Sequence, residues 1–306
     1  MISQIKNIHI NNYWNNLYDM YKNSLDFNLK KDTIDWRLKN IRGFLTYLSE
    51  SNIKCKNLKP EYVYEYLSSL ENYSARTREH RAVCIRFFLN FLNENNLINI
   101  SGSKLLPHIR CNKEEKITSY YTNDEISKLL SAVDINDENY KLNFSILSLF
   151  IYYGIRLRDV LELKLQNINW NENKIQFIQS KTNFINSIYL IDEVKYPLLD
   201  YLKNERITTD NDYIFIKKNG TRINDKYVYY LLSKCFKLAK IDISNRRHGA
   251  HSLRHSLATN MINENENIYV ISKVLGHSNI DDTKVYSKLN YEKLKKVSLE
   301  VPSWQI

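Results

Sequence analysis

The sequence predicts a mainly α-helical protein of two units, the second carrying a small antiparallel β-sheet. Three observations predict it. Apolar residues recur at steps of three and four through most of the chain. That rhythm lapses between Lys104 and Ser119, around Pro107 and the charged run Lys113 to Lys116. Strand-like runs occur only in the second half, where two stand close together. The expected organisation is a helical unit over 1–106, a linker over 107–120 and a second unit over 121–306. At 306 residues, each unit is long enough to bury a core of its own.

Each element has its own signal. Tyr13, Trp14, Leu17, Tyr18 and Tyr21 form one apolar stripe, and Ile34, Leu38, Ile41, Leu45 and Leu48 form the next. Pro60 fits the first turn of a third helix through Val63, Tyr66, Leu67 and Leu70. Ser74 is placed to cap a fourth, carrying Val83, Phe87, Phe88, Phe91 and Leu92. Four such helices make a small bundle. In the second unit Thr122 and Glu125 stand three apart ahead of Ile126, Leu129, Leu130 and Val133, a capping box. An apolar helix follows over Leu142 to Ile155. Lys174 to Ile178 and Ser187 to Ile191 read as strands, with Gln179 to Asn186 as their hairpin turn. Helical patterning returns from Lys226.

Charge narrows the partners. The formal net charge of +10 suits a polyanion, either nucleic acid or an anionic membrane surface. The apolar helix over Leu142 to Ile155 is too short to span a bilayer and is interrupted by Asn143, Ser145 and Ser148. The N-terminus has no secretory pattern, and the four cysteines are scattered without a C-x-x-C pair. A cytoplasmic protein with no membrane partner is expected. Arg76, Arg78, Arg81 and Arg86 crowd the fourth helix and are the candidate DNA-binding residues; the competing reading is a solvated face.

The second unit carries the chemistry. Arg156 ends Tyr153-Gly154-Ile155-Arg156. His251 and Arg254 lie three apart in His251-Ser252-Leu253-Arg254-His255, so a helix puts them on one face. His277 follows in Leu275-Gly276-His277, and Tyr286 in Thr283-Lys284-Val285-Tyr286. Lys181 falls in the hairpin turn, with Lys174 as the competing lysine. These types meet the demands of cutting a phosphodiester without a metal. Cations hold the non-bridging oxygens, a phenol attacks phosphorus, a base takes its proton, and an acid protonates the leaving oxygen. Most of the 23 tyrosines are core or surface residues, and only Tyr286 has this upstream context; Tyr291 is the alternative. His248, His251 and His255 also admit a zinc reading, but no fourth ligand stands at a suitable spacing.

In that order the G-x-R box, hairpin lysine, H-x-L-R-H box, L-G-H box and T-x-x-Y segment resemble the tyrosine recombinase, or phage integrase, family. The resemblance spans about Thr122 to Ser287. It implies a core-binding helical domain before a catalytic domain, closing as a C-shaped clamp on DNA. It also implies the roles: Arg156 and Arg254 grip the scissile phosphate, Tyr286 forms a 3′-phosphotyrosine, and Lys181 acts as general acid. His251 serves as base, His277 donates to the phosphate, and Asp159 orients neighbouring side chains. The implied partner is double-stranded DNA with specific recombination sites, bound by a homotetramer that is monomeric when free. The exchange passes through a Holliday junction and needs no cofactor and no metal. Arg247-His248-Gly249-Ala250-His251 most resembles integrases of mobile elements. Xer-type multimer resolution, type IB topoisomerase-like relaxation and a DNA-binding regulator without activity stand as alternatives. A tail after Tyr286, with Val297, Leu299, Val301 and Trp304, docks either on a neighbouring subunit or on its own domain.

Overall fold

A computed structural model describes residues 9–25, 29–99, 101–106 and 120–276. Tyr286, His277, the C-terminal tail and all but Tyr120 of the expected linker lie outside these residues. The chain divides into two compact units, Met1–Glu114 and Glu115–Ile306.

In the first unit the four expected helices form: α1 (Asn12–Leu25), α2 (Lys31–Glu50), α3 (Pro60–Ser68) and α4 (Ala75–Glu94). A short α5 (Gly102–Leu105), which the apolar pattern does not signal, follows. Pro60 sits in the first turn of α3, where its missing N–H costs nothing. The Ser74 hydroxyl accepts from the backbone N–H of Thr77 at 3.2 Å and so caps α4. The apolar stripes meet in a core rich in rings. Trp14, Phe44 and Phe88 are fully buried, and Tyr21 meets Phe88 edge-on at 5.3 Å. The Trp14 indole N–H is satisfied by the Ile53 carbonyl at 2.9 Å, so its burial leaves no donor unpaired.

The second unit opens on α6 (Asn123–Ser131), where the capping box forms as expected. The Thr122 hydroxyl accepts from the Glu125 N–H at 3.3 Å, and a Glu125 oxygen accepts from the Thr122 N–H at 2.9 Å. The same carboxylate takes a forked ion pair from Arg246, with contacts of 2.6 and 2.9 Å. The Arg246 bond holds the Glu125 carboxyl below its ordinary pKa. Next come α7 (Tyr140–Tyr153) and the short α8 (Leu157–Leu161). Three antiparallel strands follow in the order β1 (Ile168–Asn169), β2 (Lys174–Ile178) and β3 (Ile185–Tyr189). The remaining helices are α9 (Asp192–Asn204), α10 (Asp225–Leu238), α11 (Ala250–Asn263) and α12 (Ile268–Leu275). Leu147, Phe150, Leu198, Phe236 and Leu253 join α7, α9, α10 and α11 in one core.

Three details depart from expectation. β3 starts two residues earlier than Ser187, because the turn is tighter: Gln179 donates its N–H to the Phe184 carbonyl at 2.9 Å, and Asn183 takes a left-handed φ of 59°. Ile178 pairs with Ile185, leaving 179–184 for the turn. The two-residue β1 is too short to show alternation. α9 contains Pro197, which removes one backbone hydrogen bond and breaks the sequence signal for a helix. Packing of Val194, Leu198 and Tyr201 into the core holds it in place. Among the described residues no helix is long and apolar enough to cross a membrane.

Candidate active site

The site is built where the ends of α7 and α12, the start of α8, the hairpin turn and one face of α11 meet. Gly154 stops α7 in the left-handed conformation (φ +56°), which an L side chain adopts only with strain. Two residues later Arg156 stands at the N-cap of α8, half-buried, and its Nη1 donates to Gln179 Oε1 at 3.0 Å. Arg254 projects from α11 into the protein and is 3% exposed. Its Nη1 donates to the Gly154 carbonyl at 2.7 Å and its Nη2 to the Leu275 carbonyl at 2.8 Å. Both are carbonyls at helix C-termini, where the partial negative charge favours a cation. The buried guanidinium therefore ties the end of α7 to the end of α12.

Lys181 is exposed in the hairpin turn, and the turn itself is fixed. Asp159, 2% exposed on α8, accepts from the Ser180 N–H at 2.8 Å and from the Ser180 hydroxyl at 2.6 Å. Thr182 on the other side donates its hydroxyl to Gln179 Oε1 at 2.8 Å. The lysine thus extends from a loop anchored on both flanks. His251 lies one turn from His255 on α11, the two rings meeting edge-on at 4.4 Å. The residue is exposed by its surface area. Desolvation, then the positive charges of Arg254, Arg247, Arg156 and Lys181, lower its pKa from the ordinary 6.5. Burial and these cations thus favour the neutral form of the imidazole. Such a group can accept a proton, and such a cluster can hold an anion.

The structure therefore gathers Arg156, Lys181, His251 and Arg254 into one locus. His277 and Tyr286 lie outside the described residues, the first of them directly after Gly276, which caps α12 in a left-handed turn (φ +62°). Among the described residues no group of three or more His, Cys, Asp or Glu side chains is arranged to hold a metal ion. Gln179 and Ser180 are the residues that sequence reasoning passed over. The one sign of them was a polar run longer than a hairpin needs, directly beside the lysine.

The four arginines of α4 belong to the other unit and behave unequally. Arg76 and Arg78 are exposed. Arg81 lies 4.2 Å over the Tyr73 ring, a cation–π contact. Arg86 donates its Nε–H to the Leu106 carbonyl at 2.9 Å, inside its own unit.

Residues 119–293 match the model of the phage integrase family. The tyrosine recombinase XerC of Caldanaerobacter subterraneus subsp. tengcongensis is 30% identical over 240 residues, 76% of this chain. The matched part spans 65% of that relative's length, just under two thirds. The tyrosine recombinase XerH of Campylobacter jejuni is 26% identical over 271 residues, covering 84% of this chain and 74% of that one. Among solved structures, a XerH site-specific recombinase in a post-cleavage complex with a palindromic difH substrate superposes with a TM-score of 0.74 at 18% identity. That match covers 87% of this chain and 79% of the other. A lambda integrase dimer bound to a COC′ core site gives 0.70 at 15% identity, covering 87% and 95%. These structures share the fold: helices with a small antiparallel sheet. With the integrase-family match spanning more than half of its length, the chain belongs to the phage integrase family, the tyrosine recombinases.

Proposed function

We propose that this chain is a site-specific DNA recombinase that cuts and rejoins duplex DNA through a covalent phosphotyrosine. One observation supports the reading: Arg254 is bonded to Gly154 two residues before Arg156, Arg156 is bonded to Gln179 two residues before Lys181, and His251 lies one turn from Arg254 on α11. The two guanidinium groups bind the non-bridging oxygens of the scissile phosphate, for which their planar forks are suited. The Tyr286 oxygen attacks phosphorus while His251 takes its proton. The bond from phosphorus to the 5′ oxygen breaks, and Lys181 supplies a proton to that oxygen. His277 donates a further hydrogen bond to the phosphate. Attack by a 5′ hydroxyl from a second duplex reverses these steps and exchanges the strands through a Holliday junction. The phosphotyrosine keeps the energy of the broken bond, so the exchange calls for no nucleotide. Four copies of the chain act on two DNA sites. Both units bind DNA, and Arg76 and Arg78, exposed on α4, contact its phosphates.

The biological occasion is integration or excision of a mobile element, a reading supported by the segment Arg247 to His251. A second reading, Xer-type multimer resolution, is favoured by the relatives named XerC and XerH.

The test uses nicked suicide duplexes tiled across the DNA that flanks the gene. The wild-type chain is expected to form a covalent protein–DNA adduct on one of them. Tyr286→Phe binds the same duplex and forms none. Adduct formation by Tyr286→Phe would sink the assignment of the nucleophile. Strand exchange between two copies of the site separates a recombinase from a topoisomerase, which relaxes supercoils and exchanges nothing.

A further inference from the structure

We propose that Gln179 is a positioning residue for cleavage, holding the Arg156 guanidinium in the orientation that grips the scissile phosphate. The proposal rests on the recombinase reading above. Gln179 follows β2 and is 3% exposed. A carboxamide so deeply buried has an acceptor end and a donor end, and each needs company. Arg156 carries only donors, so the carbonyl end must face it, and Oε1 accepts from Nη1 at 3.0 Å. The same oxygen accepts the Thr182 hydroxyl at 2.8 Å, next to Lys181. The amide nitrogen lies against Gly276, so closely that a Cβ at 276 would fall on it. One side chain thus touches the arginine at the start of α8, the turn that bears the lysine, and the end of α12 one residue before His277.

An arginine holder is useful only if it is in place before the substrate arrives. Arg156 is half-buried at the head of a five-residue helix, and Gln179 supplies the side-chain hydrogen bond that directs its fork. Holding that fork in advance spares the transition state the cost of ordering it. A neutral amide suits the task. It fixes the direction of the guanidinium without neutralising the charge that the phosphate must use. A carboxylate in the same place would keep the acceptor, lose the donor facing Gly276 and compete with the phosphate for Arg156.

The experiment uses the full chain and the flanking duplex that the wild type cleaves, under single-turnover conditions. A second duplex of the same sequence carries sulfur in place of the 5′ bridging oxygen, a leaving group that needs no proton donor. Gln179→Met removes both ends of the amide at similar volume, and Gln179→Glu keeps only the acceptor. Both variants are expected to bind the duplex within about threefold of wild type and to cleave about 10- to 100-fold more slowly. The slowing should persist on the sulfur duplex. Loss of the effect on sulfur would place Gln179 behind Lys181 instead and overturn the proposal. Wild-type cleavage by Gln179→Glu would overturn it too, because a merely architectural role is served by either acceptor. So would cleavage by folded Gln179→Met within threefold of wild type. A wild-type chain that binds but cleaves no flanking duplex defeats the recombinase reading itself, and that result is read before either variant is made.

Discussion

The two units bury polar side chains in different ways. In the first, the buried polar residues among those described are Thr46 and Ser49. Both hydroxyls donate back to their own helix, Thr46 to the Arg42 carbonyl and Ser49 to the Leu45 carbonyl, and Ser49 also accepts the Asn11 N–H at 3.2 Å. In the second, Ser148 and Ser252 also turn back onto nearby carbonyls, but other buried polar groups join segments far apart in the chain. Asp159 holds Ser180, Gln179 holds Arg156, and Arg254 holds Gly154 and Leu275. Ser256 accepts from the Tyr121 N–H at 2.8 Å, across 135 positions. The first unit is thus held mainly by apolar burial, with a few long-range bonds such as that from the Trp14 indole to the Ile53 carbonyl, and the second by apolar burial plus a frame of buried charged and amide groups. A bundle with the proposed task of presenting a surface to DNA needs only to stay folded. A site that must place charges to a fraction of an ångström needs bonds with direction.

Substitutions that strike one kind of support and spare the other sharpen this contrast. The largest effect belongs to Arg254. Arg254→Ala is expected to slow single-turnover cleavage by about 10²–10³-fold. Arg254→Lys should restore little, because an ammonium cannot serve two carbonyls with a planar fork. Near-normal cleavage by the lysine variant would show that charge alone, without direction, suffices there. Next comes Phe88→Ala in the first unit, where Phe88 packs between Trp14, Tyr21 and Phe91. Its expected cost is about 3–5 kcal/mol of stability in denaturant unfolding. Cleavage at saturating DNA, measured well below the unfolding transition, should fall less than tenfold; a loss as large as that of Arg254→Ala would erase the distinction between the units.

The smallest effect is a shift of titration. The His251 imidazole, followed by NMR in the DNA-free protein, should take its proton with a midpoint below 6.5. The unfolded chain then takes that proton first, so this residue subtracts stability as pH falls below 6.5 and subtracts none above it. Binding of Tyr286→Phe to DNA brings phosphate charge beside the ring and should move the midpoint upward. A midpoint at or above 6.5 in the free protein would mean that the cations do not converge on His251.

Much of this was open to view in the sequence because the signals are local. The Ser74 cap, the Thr122–Glu125 box and β2 follow from residues within a few positions of each other. The gathering of Arg156, Lys181, His251 and Arg254 was reached through spaced boxes and the family resemblance they carry. What stayed hidden depends on partners distant in the chain. No pattern announces that Gln179 will meet Arg156, or that Arg86, counted with its neighbours as a DNA contact, donates to the Leu106 carbonyl. Nor does periodicity see that α9 survives its proline by packing into a core assembled from four helices.

Gly154 has a consequence beyond ending a helix. Its carbonyl is one of the two that hold Arg254, and its left-handed turn is what aims the chain toward Arg156. An added Cβ would meet Leu275, Leu257 and Arg254 at 3.1 to 3.3 Å, in a conformation that already disfavours it. One methyl group would therefore press on Arg254 and strain the turn that leads to Arg156, the two arginines proposed to hold the phosphate. The placement of both arginines thus depends on one residue that has no side chain of its own.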